Sequence, residues 1–195
     1  DSAGNNNSAA TQFNWTFNST TPTMTITSAQ VTDGDTSNDA ALTMTFTSSE
    51  VTTNFAVGDI TVSGGLLSDF VGVVGSSTEY RAIFTPSGDG ATTIDVAGST
   101  FTDAYGNNNT AATQFNWTFD STAPTMTITS AEVTDGDTSN DTTLSLTFTS
   151  SEATTDFVEG DITVSGGALS GFAQTSPTIY TATFTPSSDG ATTID

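Results

Sequence analysis

The chain copies itself at a distance of about one domain. Ser19–Ser28 returns as Ser121–Ser130 with a single change, Thr21 to Ala123, at an offset of 102 residues. Val31–Asp39 returns unchanged as Val133–Asp141, and Gly58–Gly65 as Gly160–Gly167, at the same offset. Beyond a two-residue deletion, Phe84-Thr-Pro86 matches Phe184-Thr-Pro186 at an offset of 100. Such a period is longer than the roughly 20–50 residues of a solenoid unit and matches a small domain, so it predicts beads in tandem. The register of the copies is unusual. Residues 1–18 match residues 103–120, the end of a repeat, whereas Thr192–Asp195 match Thr92–Asp95, which lie 25 residues before Asp120. The expected organisation is therefore a loop and last strand of a preceding repeat (1–18), a whole repeat (19–120) and a repeat without its last strand (121–195). That register suits a segment cut from a longer array. It also suits a subunit whose first strand is donated to a neighbouring subunit, a head-to-tail contact that does not close and grows into a filament.

Within each repeat, apolar residues alternate with Thr. Thr25 separates Met24 from Ile26, and Thr43 and Thr45 separate Leu42, Met44 and Phe46. A period of two sends the two sets to opposite faces of an extended strand. Ile60 and Val62, Leu67 and Phe70, Tyr80, Ala82 and Phe84, Ile94 and Val96, and Phe115, Trp117 and Phe119 follow suit. Strands are expected at about 22–29, 41–47, 59–63, 66–74, 78–86, 91–96 and 111–119, divided by Gly, Asn, Asp and Pro. Thr supplies 44 of the 195 residues, and as a β-branched residue it suits the outer face of a sheet. No segment shows a helical period. About seven short strands per repeat, apolar on one face, predict an all-β fold of tandem antiparallel Ig-like β-sandwiches.

Composition removes most chemistry. One basic side chain, Arg81, stands against 22 acids for a formal charge of −21, and His, Lys and Cys are absent. Nucleophile systems built on Ser/His/Asp or Cys/His, His-ligated zinc and Schiff-base lysine are excluded, and no enzyme is expected. Nucleic acid is excluded as a partner because binding it needs several cations, and an anionic membrane would repel the chain. No run approaches the length of a membrane-spanning helix. No secretory leader is visible and the first residue is Asp1, as expected of a mature or excised segment. A hydrophobic content of 34% with this charge raises the question of disorder; the regular strands argue against it.

The acids gather in loops. In Ig-like order, the Asp33-Gly-Asp-Thr-Ser-Asn-Asp39 loop and the Asp89 turn lie at one end of a bead, and the Glu50–Asp59 segment and Asp103–Asn109 loop at the other. Asp33, Asp35, Asp39 and Asp89 of one repeat are then expected near Glu152, Asp156 and Asp161 of the next, with Asp120 in the linker. Like charges so crowded repel unless a cation intervenes. Ca²⁺ suits them, since it takes about six to eight hard oxygens in an adaptable geometry, whereas Mg²⁺ demands a strict octahedron. Asp33, Asp35, Ser37 and Asp39, with their copies Asp135, Asp137, Ser139 and Asp141, alternate like the opening of a calcium loop. No Glu stands at the twelfth place and no helix follows, so this is not an EF-hand. Turn formation and solubility are the second explanation, because Asp, Asn and Gly favour turns.

Glu50 with Phe55, Gly58–Gly65, Tyr80 with Phe84-Thr-Pro86, Phe101-Thr-Asp-Ala-Tyr-Gly-Asn107 and Asp120-Ser-Thr-Ala-Pro124 together resemble the Ig-like repeats of large bacterial surface adhesins, of the biofilm-associated and RTX types. The likeness runs over essentially the whole chain. It implies extracellular, cell-surface spacer repeats in a rod or filament that projects an adhesive tip and is stiffened by Ca²⁺ at or near domain junctions. It implies as ligands Glu50, Asp59, Asp103 and Asn107 in the whole repeat, and Asp120, Glu152 and Asp161 at the second junction, where Asn18 is the first-junction counterpart of Asp120. The implied partners are neighbouring repeats or copies of the chain itself. A carbohydrate- or partner-binding adhesion module is the alternative, and it requires exposed aromatic residues. Sequons at Asn6, Asn14, Asn18, Asn108, Asn116 and Asn140 admit attached glycans. Thr-x-Thr runs such as Thr23–Thr27 are the outward face of a twisted sheet rather than a flat ice-binding lattice. The acids lack the aromatic groove of a glycosidase, and Arg81 is expected to pair with a nearby acid at little gain.

Overall fold

The computed structural model describes all residues 1–195 and divides into two units, Asp1–Ser121 and Thr122–Asp195. The first unit contains every strand that the alternation predicts. These are β1 (Met24–Ser28), β3 (Leu42–Ser48), β4 (Ile60–Ser63), β5 (Gly65–Gly72), β6 (Glu79–Pro86), β7 (Gly90–Val96) and β8 (Phe115–Phe119). A further two-residue strand, β2 (Thr36–Ser37), has no apolar alternation to announce it and exists because β8 offers it an edge, through Thr36↔Thr118 and Ser37↔Phe119. One sheet runs β1-β3-β6-β5 and the other β2-β8-β7-β4. That is the two-layer order of an Ig-like sandwich, with β2 as an added parallel edge.

Alternation places the core between the sheets. Leu42, Met44 and Phe46 are wholly buried, while Thr43 and Thr45 between them stay partly exposed. From the other sheet come Ile94, Val96, Phe115 and Trp117. Trp117 meets Phe84 edge-on at 6.2 Å, and its Nε1–H donates to Ser37 Oγ at 3.1 Å. The indole is thereby buried with its polar atom satisfied. Thr92 is buried too, and its hydroxyl donates to the Trp117 carbonyl at 2.9 Å. Phe55 fills the other end of the core among Phe46, Phe70, Tyr80 and Phe101. On the surface Arg81 pairs with Glu79 at 2.9 Å, as expected, in a contact too exposed to add much stability.

The chain crosses between sheets at Gly64-Gly65. Gly64 has φ +75°, and a Cβ on Gly65 would collide with the Phe84 ring and the Thr85 carbonyl. The unchanged Gly-Gly pair therefore has a steric cause.

In the second unit β9 (Met126–Ser130), β10 (Leu144–Ser150), β12 (Gly167–Ser176) and β13 (Ile179–Pro186) form a sheet in the order β12-β13-β10-β9. The opposing sheet is reduced to β11 (Val164–Ser165) paired with β14 (Thr193–Ile194), and residues 122–195 hold no counterpart of β8. Leu146, Phe148, Ile162, Tyr180, Ala182 and Phe184 are buried, but Met126 is 37% exposed where Met24 is 4%.

One polar substitution between the copies is structurally silent and electrostatically not. Gln30 Oε1 accepts the Thr43 N–H at 3.0 Å and the Ser28 hydroxyl at 3.1 Å. Glu132 takes its place, and its Oε2 accepts the Ser145 N–H and the Ser130 hydroxyl, both at 2.7 Å. The bonds from Ser130 and then Ser145 lower its carboxyl to about 2. A depressed pKa contributes stability that is whole above the ordinary Glu value and is lost as pH falls through the folded one.

Two outcomes are expected. Gly167→Ala should destabilise the second unit by about 1–3 kcal/mol in denaturant unfolding, because the new methyl meets backbone as well as the Phe184 ring. A carboxyl-detected NMR titration should find Glu132 with a midpoint near 2. Glu132→Gln should abolish that titration and leave the β9–β10 pairing intact, as Gln30 does for β1–β3.

Candidate functional site

At one end of the first unit, the segment after β3 meets the loop before β8. Thr52 and Asp103 form an isolated antiparallel bridge, and Asn54 accepts the Thr102 N–H at 3.0 Å. The loop is built on two side chains. Asn109, which is buried, accepts the N–H groups of Thr100 and Phe101 and donates to the carbonyls of Ala97 and Thr110. Asp103, only 4% exposed, takes the Tyr105 and Asn107 N–H groups on Oδ1, at 2.9 and 2.8 Å, and the Asn107 amide on Oδ2 at 2.8 Å. The same Asn107 Nδ2 donates to the Asn18 carbonyl at 3.3 Å.

Against this buried carboxylate stands Glu50. Burial pushes the Glu50 carboxyl up, and its hydrogen bond with Asp103 and the repulsion of that charge push it further the same way. Burial also acts to raise Asp103, but the bonds from Asn107, from Tyr105 and from Glu50 outweigh it and hold Asp103 low. The two carboxyls thus repel each other across the contact, and a cation beside them would relieve that repulsion.

The structure therefore brings together Glu50, Asp103 and Asn107, three of the four ligands implied for this end, and adds the Asn18 carbonyl. Asp59 does not join them. Its carboxylate turns back to accept the Ala56 N–H at 2.8 Å and cap the one-turn 3-10 helix Val57–Asp59, and Asp161 does the same with Val158 at 2.9 Å. In the first unit the carboxylates of the expected calcium-loop pattern already accept hydrogen bonds from the protein. Asp33 accepts the Asn116 N–H of β8 at 2.7 Å, Asp35 the Thr32 N–H at 2.7 Å and Asp39 the Ser37 hydroxyl at 2.7 Å. In the second unit Asp137 accepts the Thr134 N–H at 2.9 Å, Asp141 donates its N–H to Ser139, and Asp135 is exposed. Asp120 donates its N–H to the Ser37 carbonyl at 3.1 Å. Glu152 repeats the local geometry of Glu50, its N–H bonded to Ser150 Oγ at 3.3 Å, but residues 122–195 contain no counterpart of Asp103.

No three carboxylates converge as a set able to hold a metal ion. The donors at Glu50 and Asp103 fit Ca²⁺ in kind, being hard oxygens with unrelieved repulsion, and are few for it in number, so water would complete the shell. Sequence reading missed Asn109, the scaffold of the loop, and the Asn18 carbonyl. The only signal for the former was the Asn107-Asn108-Asn109 run; a backbone carbonyl leaves none.

Glu50 lines a shallow depression together with Ser49, Val51, Thr78, Ala104 and Tyr105. Its one large ring, Tyr105, is 73% exposed.

Comparison with known proteins agrees with this architecture. The sequence profile of the bacterial Ig-like domain matches residues 18–119 and again residues 120–194. No curated protein matches the chain. With residues 18–119 and 120–194 both matched, the chain belongs to the bacterial Ig-like domain family, whose domain it carries in tandem.

Proposed function

We propose that this chain is a non-catalytic length of an extracellular, adhesin-type surface rod or fibre, in which Ca²⁺ stiffens the Ig-like beads and copies join end to end by strand complementation. The observation that carries the reading is the contact between the Glu50 and Asp103 carboxyls. Two acids are held together there by a loop that Asn107 and Asn109 make rigid, in a chain whose formal charge is −21. Ca²⁺ would supply the positive charge that the single Arg cannot. Glu50, Asp103, Asn107 and the Asn18 carbonyl would hold it, tying the segment after β3 and the loop before β8 to the linker that leads into β1. The tandem repeat and the absence of His, Lys and Cys support a spacer over an enzyme.

A second reading, a carbohydrate- or partner-binding adhesion module, is favoured by Tyr105, an exposed ring beside a depression. Glycan binding that disappears in Tyr105→Ala would support it.

The calcium reading is tested by melting curves of the full chain with Ca²⁺ and with EDTA. A carboxyl whose folded pKa is raised contributes stability that is complete below the ordinary Glu value and is lost as pH rises through the folded one. In EDTA, the first unit should therefore lose stability as pH climbs through that window, and Glu50→Gln should melt above wild type at neutral pH. In Ca²⁺ the order should invert, because the variant has lost a ligand. Melting and small-angle scattering curves indifferent to chelation would remove the metal from the proposal.

A further inference from the structure

We propose that the outer face of β5 and β6 is a docking surface for a second copy of this chain, in a two-fold contact that sets two first units side by side. The contact is separate from the end-to-end association proposed above and does not rest on it.

The first ground is where the two repeats differ. On the inner face of this strand pair they agree: Leu67, Phe70, Tyr80, Ala82 and Phe84 return as Leu169, Phe172, Tyr180, Ala182 and Phe184. On the outer face Leu66, Val71 and Ile83 stand where the second unit has Ala168, Ala173 and Thr183. The rows are otherwise the same, with Ser68 beside Ile83 and Val71 beside Arg81, as Ser170 is beside Thr183 and Ala173 beside Thr181. Ala and Thr suffice to form this strand pair, so folding does not call for the larger apolar side chains. Leu66 is 74% and Val71 56% exposed, and Val74 in the turn between the strands is bare. Ile83 lies diagonal to both Leu66 and Val71, within side-chain reach of each. Apolar side chains grouped on one exposed face mark a contact surface, where single ones would not.

The second ground is charge, and it selects the occupant. Arg81, the one basic side chain, lies in this face beside Glu79, and its side chain is still 54% exposed. The second unit has Thr181 and Ile179 at these places. Asp69 sits on the β5 bulge between Ser68 and Val71 at φ +53°, where its counterpart is Gly171 at φ +64°. A left-handed backbone favours Gly, so the first unit tolerates strain there and holds an acid next to the Arg81 row. In a two-fold contact a patch meets itself, so opposite charges can pair across it only where both signs occur together. Among 22 acids and one Arg, this is the only patch with side chains of both signs. A second copy therefore finds apolar area and complementary charge on the same face.

Strand register then fixes the arrangement. Glu79 and Arg81 flank Tyr80 on β6. A two-fold axis level with Tyr80, lying across the strands between the two faces, sets Arg81 of each copy over Glu79 of the other. The same axis brings the Val74 turn of each copy over the row of Ser68 and Ile83 in the other. Within one copy the Arg81–Glu79 pair is open to water and weak. Crossed between copies, with apolar side chains on either side, the two pairs are shielded and worth more.

The test is sedimentation equilibrium of the full chain, with a cysteine cross-link as the local readout. Mass should rise with concentration from 19.9 kDa towards twice that value. The chain has no cysteine, so chains bearing Val74→Cys mixed with chains bearing Ser68→Cys should link to each other under oxidation. Arg81→Glu should abolish the dimer. Adding Glu79→Arg should restore it, because the crossed pairs return with their signs exchanged at the original net charge. Leu66→Ala, Val71→Ala and Ile83→Thr together install the residues with which the second unit folds. That variant should keep its strand content by circular dichroism and stay monomeric. Monomers at every concentration would overturn the proposal. Association that survives both Arg81→Glu and the triple variant, without the cross-link, would belong to another surface, the end-to-end one included, and would overturn this one. A dimer lost in Arg81→Glu and not restored by the exchange would overturn the crossed pairing.

Discussion

The pairing of β8 along β7 is the interaction on which the sandwich depends, and the two units show it with and without that strand. With it, β7 runs from Gly90 to Val96, β2 exists, and Pro22 is buried with its carbonyl accepting the Thr110 N–H at 2.9 Å. Without it, β14 has two residues, Pro124 is exposed, and Thr138–Ser139 is not a strand although Val133–Asp141 has the sequence of Val31–Asp39. The energetic reason is the cargo that β8 carries. A buried aromatic side chain removes ~150–250 Å² from water. At ~25 cal/mol per Å² that is about 4–6 kcal/mol for Trp117 alone, before conformational entropy is set against it.

Charge is handled locally. Several loop acids close their own turns, as Asp35, Asp39, Asp59 and Asp161 do, and so stabilise the connections between strands. An acid accepting a backbone N–H one turn away is favoured whatever the rest of the surface carries. Glu50 and Asp103 are the exception, since they face each other across two loops. Their interaction is a tertiary one, and it is the place in the first unit where proton or cation occupancy would change how firmly the end of the bead is held.

The fold was legible because burial in a two-layer β-structure follows a period of two. Leu42, Met44 and Phe46 against Thr43 and Thr45 left no other assignment, whereas the crossing between sheets at Gly64-Gly65 emerged only from the structure. The site was legible only in part. The alternating oxygens of Asp33, Asp35 and Asp39 suit metal coordination and turn closure equally, since both want short acidic side chains near backbone. Only their placement beside Thr32, Ser37 and Asn116 distinguishes the two. The meeting of Glu50 with Asp103 joins residues far apart in the chain and depends on the bridge between Thr52 and Asp103.

Two nearly identical stretches separate local from tertiary control. Asp1–Asn5 and Asp103–Asn107 form the same turn, with the glycines at φ +84° and +89°, although one belongs to a closed sandwich and the other does not. All the bonds of that turn lie within five residues, so the sequence alone determines it. Thr11–Phe17 and Thr113–Phe119 are identical, yet one is a buried strand and the other is bare and unpaired. A strand has no internal hydrogen bonds and cannot bury its rings against itself. Its residues can only favour the extended state; whether it becomes part of a sheet is decided by the edge that meets it.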